Sequence, residues 1–224
     1  MQNNDIKVLS IAFYRGFPEE KLPWPEAAVF TLSIDSWREV VIPVGLFSGS
    51  FLPIQEKYPF MSNKRMKENL CVFFNGALHS VAYTLNCTFI LCFDVNDERF
   101  REIMLLPNNY LDGFCPIFDR LVVFKGSLAL VAYGNDLDEG RDIWHIWVMG
   151  EYGVVESWAK KCVSMENVWH LFGCTDNGEL LIRTTQHGIV SFDPDSLTEN
   201  DIGIPCRLWL DYTSDFMESL VGVV

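Results

Sequence analysis

No run in this sequence is long and apolar enough to cross a bilayer. The longest, Leu121-Val122-Val123-Phe124 and Leu128-Ala129-Leu130-Val131-Ala132, are split by Lys125 and Gly126, far short of the about 20 residues a spanning helix needs. The opening residues, Met1-Gln2-Asn3-Asn4-Asp5, have no basic start, apolar core or small-residue cleavage site, so secretion is not indicated. Positive charge is scarce as well: 17 Lys and Arg face 30 Asp and Glu, for a net charge of −13 and a pI near 4.6. That is the wrong sign for tracking phosphates, which argues against nucleic acid and anionic membrane as partners. The seven cysteines, Cys71, Cys87, Cys92, Cys115, Cys162, Cys174 and Cys206, are odd in number and lack framed spacings. Reduced thiols and a cytoplasmic or nuclear location are expected.

Frames that carry chemistry are equally sparse. His79, His145, His170 and His187 lie 66, 25 and 17 residues apart, and none falls in an H-x-x-x-H or C-x-x-C/H frame, so no metal site is expected. Cys87 and Cys92 form a C-x₄-C pair without a second pair, and buried thiols in or near strands are the expectation. Gly45-Leu46-Phe47-Ser48-Gly49 lacks the G-x-S-x-G order of a nucleophile elbow, and no phosphate loop occurs. Asp136, Asp138, Glu139 and Asp142 around Gly140 resemble a calcium loop in composition only. The glycine register is wrong and Trp147 would fill the twelfth position, which leaves a solvated hairpin loop. Asp193-Pro194-Asp195-Ser196 reads as a turn, and Lys64-Arg65-Met66-Lys67 and Lys160-Lys161 read as solvated loops in an acidic chain. No catalytic, cofactor-binding or metal-binding residue is assigned, and no cofactor is implied.

What the sequence does have is apolar surface to bury. Hydrophobic residues make up 49% and aromatic residues 14% of 224, and a folded chain of this size hides roughly 70% of its unfolded surface. The apolar residues come in short runs of Val, Ile, Phe, Leu and Tyr punctuated by Gly, Asn, Asp and Pro, which predicts an all-β protein. Val72-Phe73-Phe74-Asn75-Gly76-Ala77-Leu78-His79 predicts a hairpin, because Asn-Gly supplies the two positive-φ residues of a type I′ turn. Leu121 through Leu130 and Phe172 through Leu181 place Gly126 and Gly178 similarly, so that Gly76, Gly126 and Gly178 follow one another at intervals of 50 and 52 residues. Between these hairpins recurs a second unit, two strands joined by an acidic turn and closing on an aromatic. It runs over Val29–Val40, Ile90–Ile103 and, more loosely, Ile146–Trp158; Ile189–Pro194 keeps its first strand and turn but only weakly signals a second strand. Four strands at a period of about 50 residues predict a partial kelch-like β-propeller of about four antiparallel blades, one domain over residues 1–224. Trp37, Phe100 and Trp158 then take the place of packing residues between blades.

These segments resemble the F-box-associated domain of plant F-box proteins. Asp35-Ser36-Trp37-Arg38 matches the family's Asp-Ser-Trp-Arg turn and strand. Phe73 through His79 matches most of its Phe-x-Asn-Gly-x-Leu-His-Trp hairpin, with Ser80 in place of the tryptophan. Cys92-Phe93-Asp94 approximates its Ser-Phe-Asp strand, and Ile146 through Trp158 resembles its WVM-x-EYG…ESW segment. The likeness begins at Asp5-Ile6-Lys7-Val8 and continues to Asp211-Tyr212-Thr213-Ser214-Asp215-Phe216-Met217-Glu218-Ser219-Leu220-Val221, which resembles the family's closing strand. No counterpart of the helical, leucine-rich F-box precedes Ile6, so the resemblance implies an N-terminally truncated member. An edge or sheet face left open by truncation implies marginal stability or self-association.

The resemblance also implies a function: a non-enzymatic interaction module like the substrate-recognition half of an SCF-type ubiquitin ligase. It would bind an unknown target protein, and would engage the Skp adaptor and cullin only if an F-box were supplied. The alternatives are a scaffolding propeller outside ubiquitin transfer, a competing or inactive truncated paralogue, and an enzyme, for which no convergent polar set is found. Substrate-binding residues are left unassigned; Trp144, Trp147 and Trp169 are candidates to line a peptide surface, since Trp is enriched at interface hot spots, with strand-face packing the favoured role for at least Trp147.

Overall fold

A computed structural model describes residues 6–12, 26–42, 71–83, 88–104, 114–138 and 140–204. Gly45–Gly49, Lys64–Lys67, Cys87, Glu139, Cys206 and Asp211–Val221 lie outside the described residues. Those residues are all-β, arranged as four antiparallel sheets, and the chain divides into two compact units, Met1–Asp112 and Gly113–Val224. In the first unit, β1 (Lys7–Ala12), β2 (Glu26–Thr31) and β3 (Ser36–Val40) form a three-stranded sheet. Next to them in sequence, β4 (Val72–Phe74), β5 (Ala77–Tyr83), β6 (Thr88–Asp94) and β7 (Arg99–Met104) form a four-stranded one. The second unit has two four-stranded sheets. One holds β8 (Phe114–Phe124), β9 (Ser127–Asp136), β10 (Asp142–Met149) and β11 (Trp158–Ser164); the other holds β12 (Val168–Cys174), β13 (Leu180–Thr184), β14 (Gly188–Asp193) and β15 (Thr198–Asp201). Spatial order equals chain order in every sheet, the meander expected of a propeller blade. The weakly signalled strand after Asp193 is β15, fully exposed along its length.

Turn chemistry explains the repeat. Asn75 and Gly76 have φ of 49° and 77°, and Lys125 and Gly126 have 49° and 76°, the mirror-image geometry that matches strand twist. The third hairpin differs. Gly178 (φ 86°) closes a longer turn in which its N–H donates to the Thr175 carbonyl at 2.8 Å, while the Glu179 N–H donates to Thr175 Oγ1 at 3.1 Å. The acidic turns share a geometry with the fifth residue left-handed: Glu98 (φ 51°) after Asp94, and Leu197 (φ 58°) after Asp193. Each aspartate accepts an N–H from two residues on, Asn96 at 3.0 Å and Asp195 at 2.9 Å. The Asp97 N–H, also at 3.0 Å, does most to hold the Asp94 carboxyl below the usual carboxylate range, and the Asp195 N–H does so for Asp193. In these two turns the acid at the first position is an internal cap, whereas the Val29–Val40 turn has Thr31 in first place with no side-chain cap and carries its acid, Asp35, in the left-handed fifth place (φ 46°). Asp136 serves the β9–β10 turn in the same way, accepting the Asp138 N–H at 2.9 Å with left-handed Gly140 (φ 66°) in fifth place. Asp136, Asp138 and Gly140 thus form a hairpin turn.

Burial follows strand alternation. In the first unit, Ala27, Val29 and Val40 from one sheet pack with Phe89, Leu91, Phe93 and Phe100 of the other. In the second, Val131, Tyr133, Trp144 and Ile146 pack with Leu171, Leu180, Ile182 and Val190. Burying each such Leu, Ile, Val or Phe side chain contributes roughly 1.5–3 kcal/mol. β9 is buried on both faces from Leu128 to Gly134, which is why Leu128-Ala129-Leu130-Val131-Ala132 reads as an unbroken apolar run rather than an alternating one.

Candidate interaction surface

The recurring aromatic occupies one cross-strand position in three of the four sheets, and Glu199 takes that place in the fourth. Phe30 pairs with Trp37, Phe93 with Phe100, Met149 with Trp158 and Phe192 with Glu199. Only Phe100 meets the expectation of burial between sheets. It packs on Phe93 with ring centroids 4.9 Å apart. Trp37 lies against Phe30 at 5.3 Å but is 57% exposed, because Val29 and Val40 face the core and the alternating residues of β2 and β3 point away from it. Trp158 is half-buried, and Glu199 Oε1 accepts a hydrogen bond from His187 Nδ1 at 2.9 Å.

The three tryptophans proposed for a peptide surface separate just as clearly. Trp144 is fully buried beside Tyr133, 4.9 Å between ring centroids, and belongs to the core. Trp147 is half-buried under the Lys160 ammonium, 5.3 Å from its ring centre. Trp169 is 47% exposed, and its mounting is unusual. The β12–β13 register skips from Val168–Thr184 to His170–Arg183, so Trp169 is the extra residue of a β-bulge on an edge strand, a device that redirects a side chain. A second irregularity follows between Leu171 and Gly173.

A bulge frees backbone groups, and β8 and β9 supply their partners. The Val168 N–H donates to the Tyr133 hydroxyl at 3.2 Å, which itself donates to Asp142 Oδ2 at 2.7 Å. Arg120 Nη1 donates to the Leu171 and Phe172 carbonyls at 2.6 and 2.8 Å. Burial pushes the Tyr133 phenol up, so it stays a protonated donor. Trp169 is thereby held between two anchored backbone segments, and an anchor that is already ordered loses little entropy on binding.

Each unit also has an ionic clasp between its sheets. Glu98, with its side chain 15% exposed, receives Lys7 Nζ at 2.7 Å and the Arg38 guanidinium. Asp195 receives both Lys125 and Lys161, which hold its carboxyl down at about 2. The Lys125 stem crosses Gly178 on the way: a Cβ there would stand 2.5 Å from Cε and 2.6 Å from Cγ. Lys161 is thus tied into a clasp instead of standing in a solvated loop. In the first unit an apolar cleft of about 340 Å³ opens beside β1, lined by Ile6, Leu9, Val29, Phe73, Leu78 and Phe93 together with Lys7 and Val95.

The histidines are dispersed. His79 is fully buried and its Nδ1 lies 3.4 Å from the Val72 carbonyl. His145 is buried against Phe114, with ring centroids 4.0 Å apart, and its pKa is pushed down to about 4 by burial and then by Lys160. Among the described residues no group of three or more His, Cys, Asp and Glu is placed to hold a metal ion, and no helix is long and apolar enough to cross a membrane. Cys92 is buried as a structural thiol, whereas Cys71 and Cys162 are exposed.

Repeated four-stranded meanders, joined by capped turns and bearing an aromatic on a braced edge strand, define a blade-built β domain of the propeller type. The chain belongs to the F-box associated beta propeller domain family, whose model matches residues 1–204. It is similar to the F-box protein At3g07870 of Arabidopsis thaliana, 32% identical over 236 aligned positions that cover 85% of this chain and 50% of that protein. The chain therefore spans about half the length of the curated relative it matches.

Proposed function

We propose that this chain is a target-recognition module of the F-box protein type, acting by binding rather than catalysis. The family match over residues 1–204 carries the reading. In this reading the propeller-type domain holds a target protein in the cytosol or nucleus. An F-box, if supplied, would dock the Skp adaptor and cullin of an SCF-type ligase, and the ubiquitin-transfer chemistry would belong to those partners. Trp169, 47% exposed on a braced bulge, has the properties of an interface anchor: a large aromatic, fixed in place at the surface.

The test is affinity purification from plant cells of this chain and of a version extended by a relative's F-box, each with Trp169 intact or changed to Ala. Both Trp169 forms should share a partner profile for Skp and cullin, present only with the extended version. Trp169→Ala should weaken target capture by roughly 30-fold, the loss of one hot spot. Recovery of Skp and cullin by the short chain, or undiminished target capture by Trp169→Ala, overturns the corresponding half of the reading.

A further inference from the structure

The core forbids β12 from being a regular strand. Val168 and Leu171, 6% and 1% exposed, both enter it with Leu180 and Ile182, yet they are three residues apart, and a strand returns to one face only every second residue. One extra residue must therefore stand between them. The core does not say which. Either Trp169 or His170 can leave the ladder, and both choices keep Val168 and Leu171 inside. In the structure His170 is paired with Arg183 and Trp169 is left out. Contacts on either side frame that choice. The chain enters from Asn167 in the left-handed conformation (φ 65°), whose carbonyl accepts the Thr185 N–H at 3.1 Å. The Val168 N–H is taken by the Tyr133 hydroxyl at 3.2 Å, and that hydroxyl is aimed by its own bond to Asp142 Oδ2 at 2.7 Å. Beyond the bulge, His170 meets Phe172 edge-on, 4.8 Å between ring centroids, and Arg120 holds the carbonyls of Leu171 and Phe172.

We propose that Tyr133 is the positioning residue for Trp169: its hydroxyl, by holding the Val168 N–H, selects Trp169 rather than His170 as the bulged residue. The Tyr133 ring serves the core beside Trp144, and the hydroxyl carries this second duty. With its N–H engaged there, the strand leaves the ladder at Val168 and rejoins it at His170. Without the hydroxyl, the Val168 N–H must find another acceptor, because a buried donor is costly to leave unpaired. The competing register, Trp169 opposite Arg183 with His170 as the extra residue, is then populated, and a slip of one residue redirects both side chains. The consequence for target binding rests on Trp169 being the anchor proposed above; the selection of the bulge does not.

Fluorine NMR of the full chain carrying 5-fluorotryptophan tests this, with the Trp169 line among those of seven tryptophans assigned by its loss in Trp169→Phe. The unsubstituted chain should show one Trp169 line. Tyr133→Phe removes the hydroxyl and keeps the ring, so the lines of Trp37 and Trp158 should hold while that of Trp169 splits. Hydrogen exchange at Val168 should quicken by roughly 10-fold, the loss of one buried hydrogen bond. Asp142→Ala, a change at a half-buried site, withdraws the acceptor that aims the hydroxyl and should move the Trp169 line the same way. Val190→Ala loosens the same core cluster without touching the brace and should leave the line single, which separates positioning from general destabilisation. In the affinity purification, Tyr133→Phe should weaken target capture, and should weaken it no further once Trp169→Ala is present. An unchanged Trp169 line in Tyr133→Phe overturns the proposal, as does a line split equally by Val190→Ala. Trp169→Ala without effect on capture overturns the anchor reading alone, and the fluorine line then judges Tyr133 by itself.

Discussion

Gly178→Ala isolates how one hairpin tip supports another. Two costs fall on it. At φ 86° a side chain enters the left-handed region, which costs an L-residue about 1–2 kcal/mol. The added methyl must also occupy space now filled by the Lys125 stem, 2.5 Å from Cε and 2.6 Å from Cγ, and overpacking of a filled site costs roughly 1–3 kcal/mol. Together these give about 2–5 kcal/mol. Gly126→Ala is the control. Its φ is 76° but nothing lies within 4 Å of the added Cβ, so it loses only the backbone part, about 1–2 kcal/mol. Urea unfolding followed by tryptophan fluorescence measures both. The decisive variant is Lys125→Ala combined with Gly178→Ala: without the stem, the cost of Gly178→Ala should fall to that of Gly126→Ala. Equal costs for Gly178→Ala with and without Lys125 would refute the steric argument and leave backbone strain alone.

Two further outcomes follow from buried ionisable groups. Glu98→Ala removes the acceptor of Lys7 and Arg38 and should destabilise the first unit by roughly 1–3 kcal/mol, the worth of charge-assisted bonds at a mostly buried site; thermal unfolding checks it, and an unchanged midpoint would show that the clasp adds nothing. Acidification should destabilise the second unit through His145, whose pKa of about 4 lies below its ordinary 6.5. The unfolded chain binds that proton first, so stability present above pH 6.5 is lost as pH falls toward 4, by on the order of 2–3 kcal/mol. Burial pushes His79 in the same direction. His145→Phe should flatten the slope of unfolding midpoint against pH in that window, whatever it does to absolute stability, while the Asp195 contribution, lost only as pH falls from 3.8 toward 2, stays in place.

Local chemistry was legible in the sequence. Asn75-Gly76 announces its turn because few residue pairs accept two positive φ angles, and Asp94 and Asp193 announce theirs because an acid at that place caps its own backbone. The apolar spacing gave the blade period for the same reason: strand, turn and strand are all short-range. Four features were not legible. Trp144 and Trp169 are both tryptophans near β-strand runs, and only a slip of register in β12 sends one outward while the other enters the core. Trp37 shares its repeat position with Phe100 yet faces out, since a position in a sheet does not say what covers it. Gly178 meets the turn's need for positive φ and also, unforeseen, leaves room for the passage of the Lys125 stem. The clasps were invisible because Lys7 and Glu98 are 91 residues apart, and Lys125 and Asp195 are 70 apart, and no local pattern links them.

That separation has a kinetic meaning. Each meander sheet is assembled from neighbouring hairpins, so most strand pairing closes short loops and forms early. The clasps at Glu98 and Asp195 join segments that meet only after whole sheets exist, and the entropy of closing those long loops places them late on the folding path. Interactions made after the rate-limiting step slow unfolding without hastening folding. The two carboxylates therefore act on the lifetime of the folded chain rather than on the speed of its formation, setting how long each pair of sheets stays shut between openings.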